Sequence, residues 1–326
     1  MYEAKWNVFS RWCEGENLSP HKVSVHHVAD FLLYLFKEKK YSVKTIQGYK
    51  AAISGALRFI HHRDLGHDVR LSNLIRSFKT ERPTQHNPFP MWDLSLVLNA
   101  LMKEPFEPLA TIELKLLTYK TVFLTLLASG ARRGEIHALD FQSVTFPPNW
   151  ESVTVCPIPG FVSKTQRRES GASAFTRITI PALSKFTGTD LPEGKLLCPV
   201  RCLKIYLART KEFRHGQRRL FISFQKNKTS DITVNTISIW IKTLLKIVYV
   251  AAHEDVSCLS GRSTHAIRSM ASSLAYYSNV SVDEILKACT WKSHTTFTDY
   301  YLKDLSQIRD EMHVFGPVVA AQTIVS

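Results

Sequence analysis

A proline-studded break, Thr-Glu-Arg-Pro-Thr-Gln-His-Asn-Pro-Phe-Pro over residues 80–90, constrains this chain more than any other feature. Each of its prolines, Pro83, Pro88 and Pro90, lacks the amide hydrogen a helix needs and pushes the residue before it out of helical backbone. No helix can run through such a stretch, so it reads as an extended connector. The 326 residues suffice for a packed unit on either side, because single cores stop growing near roughly 250–300 residues. The expected division is 1–85 and 86–326.

The first unit reads as helical. Apolar residues recur at three- and four-residue spacings in Val28, Phe31, Leu32 and Leu35, and again in Ile46, Tyr49, Ile53, Leu57 and Ile60. Ser42 precedes the second run and is placed to cap it. His26, His27, His61, His62, Lys37, Lys39, Lys40, Arg63 and Arg70 give this small bundle basic faces and loops, although each cation taken singly fits a solvated face equally well.

The second unit opens on a strongly apolar helix over 112–128 that stops at Gly130, a residue free to take the backbone that ends helices. Ala131-Arg132-Arg133-Gly134-Glu135 follows directly. The period then changes: 153–155, a turn over 157–160, 161–164 and 176–180 predict a short antiparallel sheet with Lys164 at a hairpin end. Helices return over 200–211, 234–250, 264–276, 282–289 and 297–302, the fourth with Ser281 and Glu284 at capping-box spacing. The fold class expected is mainly α with a small antiparallel β-sheet. Residues 314–326 are apolar and short of charge, like a segment that docks on something.

Hydrophobic residues make up 44% and charged residues 21%, ordinary for a soluble globular protein, but the net charge is +14. With a pI near 9.5, the excess calls for a polyanion: nucleic acid, an anionic membrane or an acidic protein. No run of about 18 apolar residues occurs, and residues 1–10 lack the apolar core of a signal peptide. The expectation is an intracellular protein without a membrane partner. The six cysteines (Cys13, Cys156, Cys198, Cys202, Cys258 and Cys289) lie in apolar stretches, and only Cys198 and Cys202 are close, with no second pair to complete a zinc site. They read as reduced thiols. The thirteen histidines do not fall at ligand spacing near the basic cluster, so neither a metal nor a small-molecule cofactor is expected.

Breaking DNA without a metal needs a nucleophile, cations on the non-bridging phosphate oxygens and an acid for the leaving 5′ oxygen. Candidates for each role lie in the second unit. Arg132 follows the helix stop, with Glu135 three residues on to orient it. His265 and Arg268 stand three apart on a predicted helix and share a face. Trp291 follows a capped helix and offers an indole N–H, and Tyr300 and Tyr301 end the last helix. Singly, these are equally a surface salt bridge, a chance H-x-x-R and core aromatics.

The order Arg132, Lys164, His265-x-x-Arg268, Trp291, Tyr301 resembles the tyrosine recombinase (phage integrase) family. Ser129-Gly130-Ala131-Arg132 with Glu135-Ile136 is similar to its first arginine box, and 265–301 to its second. Further strings resemble recombinases of DIRS-type and Ngaro-type retrotransposons: YEAKWNVFSRW at 2–12, Val28-Ala29-Asp30-Phe31-Leu32, Thr45-Ile46-Gln47-Gly48-Tyr49, Trp92-Asp93-Leu94, His137-Ala138-Leu139 and Tyr301-Leu302-Lys303-Asp304-Leu305.

The resemblance implies a two-domain architecture, with a helical core-binding domain (1–85) and an α+β catalytic domain (86–326, tail from about 314) that clamp opposite sides of double-stranded DNA. Arg132 and Arg268 would hold the scissile phosphate, Lys164 would protonate the leaving 5′ hydroxyl, His265 would serve as acid/base, and Trp291 would donate to phosphate. The product would be a 3′-phosphotyrosine formed without ATP or metal. Many members place the nucleophile nine residues after the position of Trp291, at Tyr300; the Tyr-Leu-Lys-Asp string places it at Tyr301, which is the choice made. Four subunits would form the synapse, the tail docking on a neighbour, in the nucleus, for integration of a mobile element. Two alternatives stay open: a catalytically silent DNA-binding derivative, and a relaxing activity of the type IB topoisomerase kind.

Overall fold

The computed structural model describes residues 2–61, 65–83, 92–163, 177–183, 192–225, 230–260, 263–289, 291 and 293–303. The chain divides into two compact units, Met1–His86 and Asn87–Ser326. Residues 84–90 of the proposed connector, Lys164 and the apolar tail lie outside the described residues.

In the first unit, helices α1 (Tyr2–Gly15), α2 (Val25–Lys37), α3 (Val43–His61) and α4 (Val69–Glu81) surround their own core. The apolar spacings read from the sequence are its inner faces: Phe31, Leu32, Leu35, Ile46 and Ile53 are buried against Phe9, Leu71 and Phe78. The starts of α2, α3 and α4 are satisfied locally, since the first turn of a helix leaves amide hydrogens without intrahelical partners. Ser24 accepts from the His27 amide, Ser42 from the Thr45 amide at 3.2 Å, and Asp68 from the Arg70 amide at 2.9 Å. Phe36 stacks on Phe78 with ring centroids 4.1 Å apart, joining α2 to α4.

The second unit is built around α6 (Leu114–Ser129), which follows α5 (Leu94–Leu101). Its residues from Leu117 to Leu126 are all buried, so it is covered on every side rather than amphipathic. The polar residues in that run are each satisfied. Thr118, Thr121 and Thr125 donate to the carbonyls one turn back, at 2.7 Å each. Lys120, fully buried, donates to the Leu101 carbonyl at 2.7 Å and to Glu107 at 2.6 Å, and Glu107 is also held by the Arg201 fork at 2.8 and 3.0 Å. Helices α9 (Pro199–Thr210), α10 (Val234–Ala251) and α11 (Ser263–Tyr277) pack around α6. Between them lie α7 (Arg133–His137), β1 (Ser152–Val155), β2 (Ile178–Pro181) and α8 (Pro192–Leu196), and the described chain ends on α12 (Val282–Ala288) and α13 (His294–Tyr300).

The sheet is antiparallel, with Val153 opposite Ile180 and Val155 opposite Ile178. Val153, Val155 and Ile180 face the core. A mainly helical chain with a small antiparallel sheet is thus what forms. Two expectations need correction. Residues 161–163 are not a strand: Pro157 bridges to Leu139, the Phe161 amide bonds back to the Ile158 carbonyl at 3.2 Å, and Phe161 and Val162 turn toward a cavity. The last helix runs over His294–Tyr300 rather than 297–302, because Ser293 precedes its first turn, its hydroxyl 2.9 Å from that of Thr296, and the backbone leaves the helix at Tyr301.

Candidate active site

Everything in the site depends on how α6 ends. Gly130 caps it in left-handed backbone (φ 56°), where an L side chain is strained, and its amide bonds to the Leu126 carbonyl. The chain reverses there and Arg132 becomes the residue before α7. Glu135, 2% exposed, accepts from the Arg132 amide and from Arg132 Nη1, both at 2.7 Å. The neighbouring Arg133 goes elsewhere, donating to Ser238 of α10 at 2.8 Å. Tertiary packing therefore separates two arginines that the sequence sets side by side.

From α11, Arg268 enters the same region, 3% exposed. Its Nη1 donates to the Gly130 carbonyl at 2.6 Å, its Nη2 donates to the Cys289 carbonyl, and Glu135 Oε2 stands 3.9 Å away. Its Nε has no hydrogen-bond partner among the described residues. Burial draws the Arg268 pKa down, and Arg132 adds to that against Cys289 and Glu135; a guanidinium keeps its proton regardless. Burial likewise pushes the Cys289 thiol up, so this cysteine is a neutral packing group. A cavity of about 340 Å³ is lined by Arg132, Glu135, His265, Arg268, Phe161 and Val162 among others. His265 is exposed, on the first turn of α11.

Trp291 and Tyr301 complete the group. The Arg268 guanidinium carbon lies 4.7 Å from the Trp291 ring centroid and 5.7 Å from that of Tyr301, and the two rings are 4.3 Å apart. Trp291 is buried and its indole N–H has no partner among the described residues. Tyr301 is half-buried, whereas the adjacent Tyr300 is 62% exposed. Arg132, His265, Arg268, Trp291 and Tyr301 are therefore brought together. Lys164 lies outside the described residues, next to the buried Ser163 and two past Val162 of the cavity wall.

Sequence reasoning found Glu135 as a partner of Arg132 and missed that it also faces Arg268. It also missed the Gly130 and Cys289 carbonyls, which carry no side-chain signal. Among the described residues no three His, Cys, Asp or Glu side chains converge as a metal would require. The chemistry available is that of a cationic, partly dry pocket beside a phenol.

The chain has the tyrosine recombinase fold. It is similar over nearly its whole length to a Tn1549 transposon integrase in complex with circular intermediate DNA (TM-score 0.55, 16% identity, 97% of this chain and 91% of that one). It is similar also to a lambda integrase dimer bound to a core site (TM-score 0.54, 16% identity, 96% and 90%). A third likeness is to the XerH site-specific recombinase bound to its difH substrate before cleavage (TM-score 0.55, 13% identity, 100% and 78%). No family model matches the sequence, and no curated protein is significantly similar to it.

Proposed function

We propose that this protein breaks and rejoins double-stranded DNA through Tyr301. The observation that carries this reading is the placement of the Tyr301 ring against Trp291 and beside the Arg268 guanidinium, which shares a cavity with Arg132 and His265. In this reading the phenol oxygen attacks a backbone phosphorus, the phosphorus bond to the 5′ oxygen breaks, and a 3′-phosphotyrosine forms. The phenol proton passes to His265, and Lys164 gives a proton to the departing 5′ oxygen. Arg132, Arg268 and the Trp291 N–H offset charge on the non-bridging oxygens. One ester replaces another, so the reverse attack by a 5′ hydroxyl reseals the strand without an added energy source.

The net charge of +14 supports a polyanionic substrate, and the similar folds were solved on DNA. A lambda integrase of the same fold was solved as a tetramer on a Holliday junction, which supports a four-subunit synapse here. In this assignment residues 1–85 are the core-binding domain and 86–326 the catalytic domain. The YEAKWNVFSRW and Tyr301-Leu302-Lys303-Asp304 strings support a retrotransposon-type recombinase, which acts on a mobile element and so in the nucleus.

The test is to incubate the protein with a pool of nicked duplexes carrying a randomised core and to look for a protein–DNA adduct that survives denaturant. An adduct is expected from the parental chain. Salt-dependent DNA binding with no adduct from any duplex would instead identify a silent, DNA-binding derivative.

A further inference from the structure

Helix α11 carries four serines, Ser263, Ser269, Ser272 and Ser273, although serine hydroxyls compete with the helix for backbone partners. Two of them are satisfied within the helix. Ser269 Oγ donates to the His265 carbonyl at 3.2 Å, and Ser272 Oγ donates to the Arg268 carbonyl at 2.9 Å. Ser273 reaches across to the chain after α13. Its side chain, in a residue with no exposed surface, donates to the Tyr301 carbonyl at 3.2 Å and accepts from the Lys303 amide at 2.8 Å.

These two bonds straddle Leu302, so a single hydroxyl fixes the backbone on both sides of it. That is the point at which α13 has ended: the Tyr301 amide still bonds to the Phe297 carbonyl, but the Tyr301 carbonyl has left the helix. The Leu302 amide also bonds back to the Phe297 carbonyl at 2.8 Å, and Tyr301 and Leu302 lie half-buried on the cluster of Ile285, Trp291 and Phe297, but these contacts are all local to the C-terminal segment. With it, the segment bearing Tyr301 is tied to the helix that bears His265 and Arg268. The phenol and the cations beside it thus belong to one frame.

We propose that Ser273 is a positioning residue for the nucleophile, its hydroxyl clamping the backbone on either side of Leu302 so that Tyr301 is held in register with Arg268. The proposal rests on the reading of Tyr301 as the nucleophile. Ser273 does not touch DNA; it acts through Tyr301. A displacement of the attacking atom by about 1 Å slows such reactions by about a hundredfold, and the loss of Ser273 removes the two bonds that tie this backbone to α11.

The test uses the full chain and the nicked duplex pool, with the single-turnover rate of adduct formation and the DNA dissociation constant measured separately. Ser273→Ala is expected to slow adduct formation by about ten- to a hundredfold with DNA affinity unchanged. Ser273→Thr, which keeps the hydroxyl, is expected to recover most of the rate. Hydrogen exchange of the Lys303 amide gives a reading that needs no activity: it is expected to be faster in Ser273→Ala, with the α11 amides unchanged. Adduct formation by Ser273→Ala at the parental rate, or unaltered Lys303 exchange, would overturn the role of Ser273 alone. Parallel loss of rate, affinity and thermal stability would reduce Ser273 to a packing residue and overturn it as well. A parental chain that forms no adduct, or one whose adduct survives Tyr301→Phe, overturns the nucleophile reading and this role with it.

Discussion

Arg268 Nη1 donates to the Gly130 carbonyl at 2.6 Å, so the helix that presents His265 is fastened to the turn that presents Arg132. The acceptor is a backbone oxygen whose direction depends on left-handed backbone at Gly130 (φ 56°). Residues 138 positions apart are thereby made into one site, and the fastening uses two of the five donors of the Arg268 guanidinium once the Cys289 carbonyl is included.

Gly130→Ala is therefore expected to act at a distance. The left-handed backbone adds roughly 1–2 kcal/mol of strain for a residue with a Cβ, and that Cβ would stand 3.2 Å from Cys289 Sγ. Urea unfolding should show the loss of stability. Adding Cys289→Ala removes the sulfur contact but leaves the backbone strain, so a double variant as stable as Cys289→Ala alone would refute this account.

Glu135 lies within reach of both arginines and is 2% exposed. Removing one member of a buried ion pair commonly destabilises by about 3–5 kcal/mol, because the other charge is left without compensation. Glu135→Gln keeps the shape and an acceptor for the Arg132 amide but drops the charge. Its expected effects are lower stability and adduct formation slowed at least about tenfold. Glu135→Asp, which keeps the charge, should fall between the two, and chemical denaturation with single-turnover cleavage would rank the three chains.

Tyr300 and Tyr301 differ by one position and by half a pocket. Tyr301→Phe is expected to abolish the covalent adduct while leaving DNA binding intact, and Tyr300→Phe, altering a ring that is 62% exposed, to leave both. Gel mobility in denaturant after incubation with the nicked pool distinguishes them; the opposite pattern would move the nucleophile to Tyr300.

Lys120 supplies a pH-dependent check on the core. Burial pulls the Glu107 carboxyl up, but hydrogen bonds from Arg201 and Lys120 outweigh it, and its pKa lies below the ordinary 4.5. A carboxylate depressed on folding stabilises fully above its unfolded pKa and ceases to do so as pH falls through its folded one. Lys120→Met is expected to destabilise by about 2–3 kcal/mol near neutral pH, and the difference from the parental chain should shrink as the pH drops below about 4. Equal differences at both pH values would show that Glu107 stabilises Lys120 through something other than charge.

Several parts of this fold were legible without coordinates because they depend on neighbours in sequence. The buried helix ending at Gly130, the Ser42 cap and the Ser281–Glu284 capping box all follow from residues one turn apart. The Arg132–Glu135 pair, three residues apart, was legible for the same reason. The strand that composition suggests over 161–164 does not form over 161–163, because local sequence does not reveal whether a partner strand is present and the preceding turn carries the chain toward the cavity instead.

By itself, then, the sequence determined the mainly helical class, the basic charge and an ordered set of Arg, His, Trp and Tyr, since periodicity, capping and composition are local or additive properties. Tertiary structure alone decided that Arg133 turns to Ser238 while Arg268 comes to Glu135, which of two adjacent tyrosines lies against Trp291, and that Ser273 holds the backbone after Tyr301. Those choices rest on directed contacts between elements ten to more than a hundred residues apart, where one residue's shift along a helix turns a side chain by about 100°.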